Sequence, residues 1–156
     1  MEQIKIKKVE GLYSKLPAKQ TEGASCYDAY AREVEVRPDG LIIYRLGFET
    51  EIPPHMEGIV IARSNLTKHP FVMANGIGEI DSDFRDEWEF RIRPLVDRPS
   101  GFHPESIGTF SRKHMPYYPG DRCCQIKFKK KDEVELVEVD ELSETKRAGG
   151  FGSTKQ

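Results

Sequence analysis

The sequence predicts an all-β architecture: a sandwich, jelly roll or barrel. Period-two alternation dominates the chain, turn markers interrupt it at short intervals, and no stretch of a dozen residues carries a helical stripe. Alternation predicts strands over 3–9 (QIKIKKV, with one slip), 33–37 (EVEVR) and 133–139 (EVELVEV). Two short apolar runs, 41–44 (LIIY) and 58–62 (GIVIA), predict buried strands. Pro38-Asp-Gly, Pro53-Pro54, Asn75-Gly76 and Pro119-Gly-Asp mark turns between them. Residues 71–78 (FVMANGIG) read as a hairpin around the Asn-Gly pair, and 64–69 allows one short helical turn.

Length and composition narrow the classes. A chain of 156 residues fits one domain with a core large enough to need no disulfide staple. The expected domain covers 1–142. Residues 97–119, rich in Pro, Gly, Ser and His, form a long excursion between strands. Residues 143–156 form a polar, glycine-rich, flexible C-terminal tail. Lys and Arg number 24 against 26 Asp and Glu, so no basic field argues for a nucleic-acid partner. A cluster at Lys127, Lys129, Lys130 and Lys131 reads as a protected strand edge. Cys26, Cys123 and Cys124 match neither a disulfide framework nor a zinc site, and they predict free thiols in a reducing compartment. With no apolar leader and no run of roughly 20 apolar residues, a cytoplasmic protein without membrane contact is expected.

Four features carry chemistry. The densest is Gly78-Glu-Ile-Asp-Ser-Asp-Phe-Arg-Asp-Glu, in which strand alternation would crowd Glu79, Asp81 and Asp83 on one side. Crowding of that kind raises pKa values or invites a divalent cation, against the simpler reading of a solvated acidic loop. Ala62-Arg-Ser-Asn-Leu follows a strand and presents an Arg, a hydroxyl and backbone donors suited to phosphate oxygens. In Pro119-Gly-Asp-Arg-Cys-Cys-Gln, Arg122 and Gln125 are further phosphate donors. The simpler expectation pairs Arg122 with Asp121 on the surface. Finally, Gly149-Gly-Phe-Gly-Ser-Thr lets backbone N–H groups approach phosphates, with Phe151 able to stack on a base, although the Walker spacing is absent.

These segments, preceded by Ala24-Ser-Cys-Tyr-Asp-Ala, resemble in order the five motifs of the trimeric dUTPases (deoxyuridine 5′-triphosphate nucleotidohydrolases). The resemblance spans 24–154. It implies a jelly-roll-like subunit, a homotrimer with active sites at subunit interfaces, and hydrolysis of dUTP to dUMP and diphosphate. It also implies Mg²⁺ held mainly by the triphosphate and water. Asp81 matches the general base that activates the water attacking the α-phosphorus. Asn75 and the backbone of Gly78, Glu79 and Ile80 match the uracil reader. Phe84 takes the place of a Tyr that packs on deoxyribose and excludes a 2′-hydroxyl. Arg63, Ser64, Asn65 and Gln125 fall in the phosphate-contacting motifs, and Asp28 matches an acid that supports the metal's water shell or the local structure. Phe151 matches the ring that caps uracil from a neighbouring subunit, and Gly152, Ser153 and Thr154 its phosphate loop, on a lid that closes over nucleotide.

Departures from the pattern are local. Cys26 stands for Gly, Ala29 for Leu, Asn65 for Gly and Asp86 for Gly, and Lys146 stands where the lid's arginine belongs. Arg147 is favoured for the γ-phosphate because a guanidinium grips phosphate bidentately. Some phage enzymes of the family dock regulatory proteins on an insert near 97–119, and by analogy this arm is expected to offer a docking site. A trimer-packing or plain solvent loop is the simpler reading. Two other functions stay open: a dCTP deaminase, which shares the fold and would use Glu79, and a non-catalytic nucleotide sensor.

Overall fold

The computed structural model describes residues 2–95 and 114–145. Ten strands are formed: β1 (Lys5–Lys8), β2 (Tyr27–Tyr30), β3 (Glu33–Val36), β4 (Ile42–Arg45), β5 (Phe48–Glu51), β6 (Met56–Ala62), β7 (Phe71–Met73), β8 (Gly78–Ile80), β9 (Glu89–Pro94) and β10 (Arg122–Lys130). A 3-10 turn over Ser64–Lys68 follows β6, as the sequence predicts. Two four-stranded antiparallel sheets, β2-β10-β6-β8 and β3-β4-β9-β7, are joined by the small β1-β5 pair. This is the all-β, jelly-roll-like architecture expected. The core lies between the large sheets and contains Trp88, Tyr44, Phe48, Phe90, Leu46 and Ile126, all fully buried.

Local chemistry explains the elements. β9 alternates cleanly: Phe90 and Ile92 are buried, while Arg91 and Arg93 are exposed. The Pro38-Asp-Gly turn between β3 and β4 needs Gly40 at φ +83°, where a Cβ is strained, and Asp39 caps it by accepting the Leu41 N–H at 3.2 Å. That hydrogen bond, with help from Arg93, lowers the Asp39 pKa. Trp88 donates its indole N–H to Thr50 Oγ1 at 3.1 Å and covers Gly58 so closely that a Cβ there would lie 2.3 Å from its ring.

Four expectations change. The Asn75-Gly76 turn exists, with Gly76 at φ +71°, but β7 and β8 do not form a hairpin. β7 pairs with β9 and β8 with β6, so the turn carries the chain from one sheet to the other. The alternating 133–139 segment is not a strand. It is exposed along its length, with Leu136 at 95%, because no described strand lies beside it. The Lys-rich end of β10 is an edge on one side only. β10 is bonded to both β2 and β6 over Cys124–Ile126, and beyond Ile126 to β6 alone. Arg122 does not pair with Asp121, whose carboxylate caps the Tyr118 N–H, and turns instead to Asp28.

All three cysteines are free, with Cys123 and Cys124 buried. No helix among the described residues is long and apolar enough to cross a membrane. Of the excursion at 97–119, only 114–119 is described. Arg147, Phe151, Gly152, Ser153 and Thr154 lie outside the described residues, so the expected lid does too.

Candidate active site

The expected site residues gather in two places. The first is built on the ends of β2, β6 and β10. Asp28, 4% exposed, accepts from Gln125 Nε2 at 3.0 Å and from an Arg122 guanidinium nitrogen at 3.1 Å. Arg63 Nε lies 3.7 Å from the same carboxylate, and its guanidinium donates to the Arg122 carbonyl at 2.8 Å. Ser64 follows at the surface and Asn65 is half-buried. A β-bulge makes this cluster. The register of β10 against β2 slips between Arg122 and Cys124, so Cys123 and Cys124 are both buried while Arg122 and Gln125 both reach Asp28. Burial and the neighbouring Cys123 push the Cys124 thiol well above its ordinary pKa, so it stays protonated and serves as packing.

The second place is the segment from β8 to Trp88. Asn75, Gly78, Glu79, Ile80 and Phe84 line a cleft of about 890 Å³. Gly78 packs closely: a Cβ there would lie 3.2 Å from Val60 Cβ, a tight contact. The strand ends at Ile80, so the predicted alternation does not continue into the carboxylates. Residues 81–84 instead form a tight turn closed by Phe84 N–H donating to the Asp81 carbonyl at 3.2 Å. Asp81 and Asp83 therefore line a separate cleft of about 720 Å³ on the other side of the turn, with Ser82, Arg85 and Lys131. The turn separates Glu79 from Asp81 and Asp83, which still share one cleft. Asp81 and Phe84 are exposed at its two flanks.

The β8–β6 ladder holds the chain before the turn, and Glu87 holds it after. Glu87, the last carboxylate, is held bidentately by Arg32 at 2.8 and 2.9 Å and also accepts the Gly47 N–H at 2.7 Å. Burial pushes the Glu87 pKa up, but these donors outweigh it and hold the carboxyl below its usual value. Glu87 is structural, and the same bonds raise the Arg32 pKa. Arg85 donates to the carbonyls of Ser82 and Phe84 at 2.7 and 3.0 Å.

Within one protomer the two places stand far apart. β8 meets β6 at Gly58↔Ile80, which puts Asp81 near the level of Glu57, while Arg63 follows the opposite end of β6. Six residues of strand separate those levels, roughly 20 Å at 3.3 Å per residue. Sequence order alone could not reveal this split. It also did not identify Arg122 as a partner of Asp28, although the adjacent Cys123 and Cys124 break alternation and were a readable sign of a bulge.

No group of three or more His, Cys, Asp or Glu side chains able to hold a metal ion occurs among the described residues. Asp28 in particular has its oxygens engaged by Arg122 and Gln125. It fits an anchor for those two side chains better than an acceptor for a metal's water.

Comparison with known proteins decides the family. The dUTPase family model matches residues 13–93, which hold the first three motif regions. The chain belongs to the dUTPase family. It is 32% identical over 154 residues to the deoxyuridine 5′-triphosphate nucleotidohydrolase of Helicobacter pylori (strain Shi470), covering 97% of this chain and 95% of that protein. It is equally identical to the enzyme of the same name from Caldanaerobacter subterraneus over 97% of this chain and 96% of that protein. Among solved structures it is similar to a dUTPase variant of Staphylococcus bacteriophage 80alpha with dUpNHpp, at TM-score 0.76 and 17% identity, with 99% of each chain covered. A dUTPase variant of phage phi11 of S. aureus, in which a structural Mg(II) ion is coordinated, matches at TM-score 0.69 and 14% identity over 92% of this chain and 100% of that one. These two likenesses speak to the dUTPase fold.

Proposed function

We propose that this dUTPase-family chain hydrolyses dUTP to dUMP and diphosphate, with Asp81 as the general base. The observation that carries the reading is the turn at 81–84, which exposes a carboxylate on one flank and the Phe84 ring on the other. Asp81 would take a proton from a water attacking the α-phosphorus in line, and diphosphate would leave. Asn75 and the backbone of Gly78, Glu79 and Ile80 would read the base. Phe84 packed on the sugar would disfavour a 2′-hydroxyl. Arg63, Ser64, Asn65 and Gln125 would bind phosphate, with Asp28 keeping Arg122 and Gln125 oriented. Mg²⁺ would arrive with the triphosphate as part of the substrate and neutralise its charge. Arg147, Phe151, Gly152, Ser153 and Thr154 would complete the site as a lid.

The homotrimer belongs to the same proposal. The separation of roughly 20 Å between the Asp81 level and Arg63 suits a site completed by a second copy. The exposed apolar residues Val134, Leu136, Val137, Val139 and Leu142 suit a segment that docks on one. Free thiols agree with a reducing cytoplasm. The phage 80alpha dUTPases are described as controlling transfer of virulence genes. In this chain, 97–119 is where a docked protein would be sought, and deleting 97–113 should leave hydrolysis intact.

One assay tests the reading. The protein is incubated with Mg²⁺ and, in turn, dUTP, dCTP, dTTP and UTP, while diphosphate and ammonia are followed. Diphosphate from dUTP alone supports it. Ammonia from dCTP would replace it with deamination, and tight dUTP binding without turnover would replace it with a sensor.

A further inference from the structure

We infer that Lys131 is a positioning residue for the turn that bears Asp81, an inference that rests on the reading of Asp81 as the base. Lys131 is the first residue after β10, a nine-residue strand bonded along its length to β6. Its backbone N–H donates to the His55 carbonyl at 3.0 Å, so its root is fixed to the β5–β6 connection. From there its ammonium reaches across the cleft beside Asp81 and donates to Ser82 Oγ at 2.8 Å. Ser82 is the residue after Asp81, and its carbonyl is held from the other side by Arg85 at 2.7 Å. The Asp81 carboxylate makes no hydrogen bond or ion pair to another described residue.

The placement has a physical consequence. The Glu87 anchor lies six residues past Asp81, and Arg85 ties the turn only to itself. On the side of Asp81 away from the β8–β6 ladder, Lys131 ties Ser82 to the end of β10. A water-activating carboxylate must be held within a fraction of an ångström of its productive geometry. A single hydrogen bond between a half-exposed ammonium and a hydroxyl adds modestly to global stability, because water can replace much of it. Its loss should therefore appear in turnover and not in melting. Lys131 also stands where the chain leaves the body, since 132–145 are all exposed. The position of the base is thus linked to the root of that outgoing segment.

The test uses the full chain and compares Lys131→Met, Lys131→Arg, Ser82→Ala, the double variant Lys131→Met/Ser82→Ala, and Asp81→Asn. For Lys131→Met, kcat on dUTP should fall by up to about 100-fold with KM, melting temperature and oligomeric state kept. Ser82→Ala should show the same loss, the double variant no further loss, and Lys131→Arg should recover most of the activity. Unchanged kcat in Lys131→Met beside an inactive Asp81→Asn would overturn the positioning role alone. So would a loss that follows a lowered melting temperature or adds to that of Ser82→Ala. Parental kcat in Asp81→Asn would overturn the base assignment, and the inference with it.

Discussion

In the Asp28 cluster the carboxylate is buried and meets Arg122, Gln125 and, at longer range, Arg63, whereas on the 81–84 turn the Asp81 carboxylate is exposed with none of these supports. The first place pairs its one carboxylate within the chain and keeps an excess of positive charge, two guanidiniums against one carboxylate. The second presents a carboxylate and a ring that are both exposed among the described residues. The cluster is built where β10 becomes central: Gln125 is held by two ladders, while Arg122 pairs with β2 alone. The turn begins where β8, only three residues long, stops pairing. Under the proposed function, a site divided this way would separate tasks: firmly held cations for phosphate, and an exposed base and ring for the reacting end.

The sharpest way to break the comparison is Asp81→Asn. If the exposed carboxylate is the base, kcat on dUTP should fall by about 100- to 10,000-fold while a non-hydrolysable dUTP analogue still binds; near-normal turnover would sink the assignment. Next in size is Arg63→Ala in the Asp28 cluster. Losing a charge-assisted phosphate contact of about 1.5–3 kcal/mol should raise KM by roughly 10- to 100-fold with a smaller change in kcat. A fall in kcat at constant KM would instead place Arg63 with the reacting end.

Two further variants probe the scaffold between the places. Gly58 lies on β6, between the levels of Asp81 and Arg63, under the Trp88 ring. Gly58→Ala should destabilise by about 1–3 kcal/mol through overpacking, read as a lower melting temperature; an unchanged one would mean Trp88 shifts freely. The smallest effect concerns Glu87. Its folded pKa is depressed, so its contribution is present above the ordinary glutamate value and is lost as pH falls through the lower folded value. Lowering the pH from about 5 to 3 should therefore cost the parent more stability than Glu87→Gln, by about 1 kcal/mol. Parallel pH–melting curves would show that the Arg32 pair does not hold the turn.

The residue alphabet of the site was legible in linear order because motif chemistry is local. Arg63-Ser64, the Asp81 segment and Gln125 each carry suitable groups within a few residues. The mistaken expectations share a cause. Crowded carboxylates at 79–83 required the strand to continue past Ile80, and the turn ended it. A hairpin at 71–80 required β7 and β8 to choose each other, but each found a longer partner in a different sheet. The 133–139 alternation is a true strand pattern, but a strand also needs a neighbour to bond to, and no described strand lies beside it.

By itself the sequence determined the β class, most strand positions, the turns and which residue types could do the chemistry, because alternation and turn propensity act over two to eight residues. Tertiary structure alone decided that Arg122 serves Asp28, that Lys131 reaches Ser82, and that Asp81 and Arg63 stand roughly 20 Å apart in one protomer. Those outcomes depend on strand pairing and on a bulge between segments distant in sequence, with Arg122 and Asp28 94 residues apart, where no local preference acts.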